Sequence, residues 1–124
     1  MRILMFVTLS LAMDGSAFAQ QACMVGGGDG AKVSEIFGPP AHDAGLRLQA
    51  SDWSGARASI DLARSTVRTM LEHSVVAQFE MSLAYATGDV SHLDAAWAPL
   101  IASGCMTKAE IARHNRDVDA IRRR

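Results

Sequence analysis

The residues able to do chemistry are few and widely spaced. Four histidines, His42, His73, His92 and His114, are the candidate bases and ligands, and no two stand in the His-x-x-x-His spacing that puts two imidazoles on one helix face. Asp89, His92 and Asp94 lie close enough in sequence to surround a cation; the same residues read more simply as a polar turn with helix caps. No serine occupies a Gly-x-Ser-x-Gly elbow, and the run Gly26-Gly27-Gly28-Asp29-Gly30 lacks the Gly-Lys-Ser/Thr ending and the preceding strand of a phosphate loop. Cys23 and Cys105 do not form a Cys-x-x-Cys, so neither zinc nor dithiol redox chemistry is indicated. This inventory calls for no cofactor, no metal and no catalytic residue.

Two charged features remain. Glu80 is the one charge within a nearly apolar stretch, and an ion pair with an arginine at the core edge is its expected fate. Arg57, Arg64 and Arg68, joined by Arg47, recur at helical spacing and would offer an acidic partner several guanidinium groups. Asp61 interrupts that row, so a solvated face explains the same residues more simply, with Arg57–Asp61 and Asp61–Arg64 pairs contributing about 0.2–0.5 kcal/mol each. His114 falls on or beside an apolar stripe and is expected as a hydrogen-bonded interior histidine.

The elements that must position these residues follow from the apolar spacing. Arg2, the short apolar run Ile3 to Met13 and the motif Ala17-Phe18-Ala19 form the three parts of a secretory signal peptide, so residues 1–19 are expected to be removed, leaving a chain that begins at Gln20 with no stable membrane anchor. Residues 20–40 read as a flexible N-terminal arm, broken by the glycine run and by Gly38-Pro39-Pro40, with Val33, Ile36 and Phe37 forming a turn or two docked on the core. An oxidising compartment predicts a Cys23–Cys105 disulfide, which the chain-entropy model values at roughly 4–5 kcal/mol before strain.

From residue 41 the apolar residues recur every three or four positions. A first helix is expected over Ala41 to Ala50, with Ala44, Leu48 and Leu46 inward. A second starts at Ser51-Asp52-Trp53-Ser54 and carries a stripe of Trp53, Ala56, Ile60, Ala63, Val67 and Met70 or Leu71. Glu72-His73-Ser74 interrupts the pattern. A third, about Val75 to Thr87, is apolar nearly all round and should be the buried centre. It ends at Gly88-Asp89. Ser91 and Asp94 suggest a capped fourth helix that buries Leu93, Trp97, Leu100 and Ile101, kinks or breaks at Pro99 and ends at Gly104. Thr107-x-x-Glu110 starts a fifth, with Ile111, His114 or Asn115, Val118 and Ile121 inward and Arg122 to Arg124 as a basic tail.

Ala77-Gln78-Phe79, Met81-Ser82, Tyr85 and Gly88 resemble the first helix of a Sel-like repeat, and Ser51-Asp52-Trp53 with Ala56 resembles the turn and second helix of a tetratricopeptide repeat. The match covers about residues 42–104. It implies stacked antiparallel helical hairpins, a fragment of a right-handed α/α superhelix, in which small residues let helices approach and an aromatic fills the gap between hairpins.

The expectation is thus an all-α domain of about five helices over residues 41–121, followed by the tail 122–124. Its function would be that of an exported, periplasmic or secreted bacterial interaction module binding a protein or peptide, with Arg57, Arg64 and Arg68 as the binding row. The formal net charge of −1 gives no reason to expect nucleic acid or an acidic membrane as partner. The competing reading is a small cell-envelope hydrolase or hydrolase inhibitor, which would require a cleft collecting His114, Glu80 or Asp89.

Overall fold

The computed structural model describes residues 33–124. The expected signal peptide, Cys23 and the glycine run lie outside the described residues, as does any bridge from Cys23 to Cys105. Among the described residues the fold is all-α, with five helices and no strand. None of these helices is long and apolar enough to cross a membrane.

Helix α1 covers Gly38–Gln49 and starts earlier than the spacing predicts, with Pro39 and Pro40 inside its first turn. The prolines read as a stop are a start, because first-turn N–H groups have no partner within the helix and the fixed proline φ already suits it. Of the three apolar residues expected to dock ahead of α1, Phe37 is buried, whereas Val33 and Ile36 are exposed, and so is Leu46. Helix α2, Trp53–Ser65, is capped by Asp52, whose carboxylate accepts the Gly55 N–H at 3.0 Å. It stops short of the stripe drawn for it: Val67 still packs on the core, but Met70 belongs to the next helix.

That helix, α3, spans Met70–Thr87 and begins well before the expected Val75. The cause is a capping box. Thr69 accepts the Glu72 N–H at 3.1 Å while Glu72 accepts the Thr69 N–H, so Glu72-His73-Ser74 forms the first turns rather than an interruption. Gly88 ends α3 at φ +81°, the left-handed conformation glycine adopts without strain.

Helix α4, Leu93–Ala102, lacks the expected Ser91 cap; Ser91 instead donates its N–H to Asp89 at 2.9 Å in a local turn. The helix continues across Pro99 to Ala102 without the break considered above. Leu93, Ala96 and Leu100 are buried, whereas Ile101 is exposed. Helix α5, Lys108–Arg122, opens with the anticipated Thr107–Glu110 capping box and buries His114, Val118 and Ile121.

The helices associate as two pairs, α1 with α2 and α3 with α4, and α3 also packs on both members of the first pair. Alanine makes the approach possible: Ala41 and Ala44 of α1, Ala56 and Ala63 of α2 and Ala96 of α4 share a core with Leu48, Ile60, Val76 and Leu83. Gly45 lies over the Phe79 ring. A second cluster joins Met81, Ala84 and Leu93 to Val118 and Ile121 of α5, and a third joins Ala77, Leu100 and Met106. Trp97 packs against all three.

Candidate functional site

Three polar centres are built into this scaffold. The first is Glu80, at the middle of α3 and 1% exposed. A carboxylate so placed must be paired to stay charged. Arg57 of α2 supplies a two-pronged fork, Nη2 to Oε1 at 2.5 Å and Nη1 to Oε2 at 2.9 Å, and Arg64, two turns further along α2, donates Nη2 to Oε2. Arg57 also reaches Asp61 at 2.9 Å. The Glu80 carboxylate beside it raises the Arg57 guanidinium further above its already basic range, against the opposing effect of burial. Arg64 Nε is buried with no protein acceptor. The centre ties α2 to α3 with charge-assisted bonds.

The second centre is Glu72, fully buried, which has no cationic partner among the described residues. Its Oε2 accepts the Ser34 N–H at 2.5 Å and the Ser34 hydroxyl at 2.7 Å; its Oε1 accepts the N–H groups of Arg68 at 2.7 Å and Thr69 at 3.1 Å. Burial raises the pKa of this carboxyl, but the donors together outweigh it and hold the group below its ordinary range.

The third centre lies between α4 and α5. The rings of Trp97 and His114 stack with centroids 4.3 Å apart and planes 29° from parallel. Trp97 Nε1, His114 Nδ1 and Glu110 Oε2 are all buried without a protein partner. Burial lowers the His114 pKa, opposed by the nearby Asp117 and Asp94 carboxylates. The expectation of a hydrogen-bonded interior histidine is therefore corrected at Nδ1: the imidazole is interior and held by an aromatic face.

A more exposed clamp closes the α1–α2 turn. Arg47 bonds Asp43 at 2.9 Å and Asp52 at 2.6 Å, and Ser59 donates to Asp43. Ser59 and then Arg47 lower the Asp43 pKa, while the Gly55 N–H and then Arg47 lower that of Asp52. A Cβ on Gly55 would lie 2.2 Å from an Asp52 oxygen, so this helical position has room only for glycine while the clamp is closed.

No family model, curated protein or solved structure matches the chain.

What the centres can do therefore rests on their geometry. Arg57, Arg64 and Arg68 do not stand as one free row, because Arg57 and Arg64 converge on Glu80 and only Arg68 remains an exposed side chain, at the loop before α3. Arg64 turns to Glu80 rather than to the expected Asp61. Arg47, the fourth candidate for the row, is held by two aspartates. His114, Glu80 and Asp89, the groups a hydrolytic cleft would have to collect, have separate partners: Trp97, the two arginines, and Ser91. Among the described residues no group of three His, Cys, Asp or Glu side chains is arranged to hold a metal ion.

The Glu72 centre is absent from the sequence reading although its signal was available, since Thr69-x-x-Glu72 has the same form as Thr107-x-x-Glu110. The Trp97–His114 stack had a weaker signal: His114 shares a stripe with Ile111 and Val118, but nothing in the local spacing selects its partner on another helix.

Proposed function

We propose that the chain is an exported helical-repeat interaction module that binds a protein or peptide and performs no catalysis. One observation carries the reading. The two glutamates buried in α3 are occupied within the fold, while Leu46 of α1 and Leu62 of α2 stand 51% and 58% exposed on the first helical pair. Apolar side chains of that size gain most from leaving water against a partner. The repeat-like spacing of Ala77, Tyr85 and Gly88 supports the same reading, as does the hairpin pairing of α1 with α2 and α3 with α4.

Within this proposal the protein acts in the periplasm or outside the cell after cleavage behind Ala19, and Cys23 pairs with Cys105. Arg68 is the member of the arginine row left to meet an acidic group on the partner. The test is affinity capture from periplasmic extract with the exported protein and with Leu62→Glu and Arg68→Glu variants that keep the wild-type circular dichroism spectrum. A partner held by the wild type and lost by Leu62→Glu is the expected result. A strictly monomeric protein that retains nothing, or equal capture by all three forms, would overturn it. The same preparation weighed intact without reductant should begin at Gln20 and lack two hydrogens; labelling of both native thiols would exclude the bridge.

A further inference from the structure

Helix α5 is joined to the rest of the chain by side chains more than by close backbone contact, which is concentrated in the pairs α1–α2 and α3–α4 and around α3. Val118 and Ile121 enter the cluster of Met81, Ala84 and Leu93, Arg124 lies over the Tyr85 ring at 5.8 Å, and His114 stacks on Trp97. The His114 contact is the one whose chemistry changes in mild acid. At 6% exposure its neutral ring is compatible with an apolar seat, but an imidazolium would carry two N–H donors, and Nδ1 has no acceptor there.

The charged groups around this ring do not supply one. From α4 comes Asp94, exposed, and from α5 come Asp117 and, one turn earlier, Glu110. Glu110 Oε1 is committed to the Thr107 N–H at 2.7 Å, and its Oε2, though buried without a partner, makes no hydrogen bond to the ring. On this side α3 contributes Ala77, Met81 and Ala84, while its buried carboxylates Glu72 and Glu80 are engaged with Ser34, Arg68 and Thr69 and with Arg57 and Arg64. Asp94 and Asp117 favour the cation, but burial of the ring outweighs them.

We propose that the Trp97–His114 stack is an acid-sensitive latch: protonation of His114 unseats it from Trp97 and releases α5, uncovering the apolar surface formed by Leu93, Trp97 and Leu100. The sign follows from the linkage of proton uptake to opening. The released imidazole binds a proton near its ordinary value of 6.5 and the seated one only at lower pH, so α5 is held fully above that value and loosens as pH falls below it.

Hydrogen exchange of the full chain at pH 7.5 and 5.5, corrected for intrinsic rates, tests this. Exchange across residues 108–122 should accelerate at pH 5.5 by at least about three-fold, while α1 and α2 keep their protection. His114→Phe, which preserves a stacked ring but cannot titrate, should abolish the response. His73→Gln and His92→Gln control for the two partly buried imidazoles and should leave it intact. Because His114→Phe could itself loosen α5, the His114 titration in the wild type is followed by NMR and must fall in the same pH interval as the opening. Equal protection at both pH values, a response surviving in His114→Phe, or a His114 titration displaced from the opening would each overturn the proposal.

Discussion

Removing Glu80 and removing its arginines are different experiments, because the carboxylate is 1% exposed whereas the Arg57 and Arg64 side chains are 25% and 35% exposed. Without Glu80 the guanidinium groups swing out to water and keep most of their hydration. Without the arginines the carboxylate is stranded among apolar neighbours. Arg57→Ala with Arg64→Ala should therefore cost about 3–5 kcal/mol, while Glu80→Met, similar in volume and within a mostly apolar stretch of α3, should stay within about 1 kcal/mol of the wild type. Urea denaturation of the two variants checks the ordering; a Glu80→Met loss as large as that of the double arginine variant would mean that the network is stabilised as a unit. Sequence spacing placed Glu80 in the interior and named an arginine as its partner, yet it also assigned Arg57 and Arg64 to a ligand-binding face. Helical periodicity records which side of its own axis a residue occupies. It does not record that a long side chain can lean around that axis to a charge 16 or 23 residues away.

At the scale of elements, the caps and the internal proline separate what was legible from what was not. Thr107→Ala removes one acceptor from α5 and should lower stability by about 1 kcal/mol. Pro99→Ala should raise it, by up to about 3 kcal/mol, because alanine restores an N–H to the interior of α4 without a ring against the preceding turn. Thermal unfolding of each variant measures both, and a lower midpoint for Pro99→Ala would show that the proline ring contributes packing that outweighs the missing bond. The ends marked by Gly88 and Gly104 and the start marked by Thr107 were readable because each rests on residues within one turn of the boundary. The starts of α1 and α3 were misread for a different reason. Proline and a polar triplet are ambiguous punctuation, and only their position relative to a helix that tertiary packing extends decides between start and stop. Burial on α4 was misassigned at Ile101 because a ten-residue helix with few polar residues offers little contrast between its faces.

For the molecule as a whole, the titrating groups divide acid sensitivity into two stages. His73 and His114 have pKa values lowered mainly by burial, so their effect on stability is zero at high pH and becomes unfavourable as pH falls through about 6.5, where the unfolded imidazole takes up its proton. Asp43, Asp52, Glu72 and Asp89 have lowered carboxyl values, so the stability they confer is complete above the ordinary 3.8 to 4.5 and disappears as pH falls through their folded-state values. An acid titration followed by residue-resolved NMR should therefore show α5 responding near pH 6 and the α1–α2 pair holding until below about pH 4; one concerted transition would argue against the division. The Glu72 centre also imposes an order in time. Its two oxygens bind the loop before α3 and Ser34, which is 38 residues away along the chain. The local bonds need only the first turn of α3, whereas the distant ones need α1 and α2 already laid down between them, so loop-closure entropy delays the docking of Ser34. The same carboxylate thus caps the start of α3 through local bonds and fastens the segment ahead of α1 through distant ones, so a single side chain secures both the first turn of α3 and Ser34.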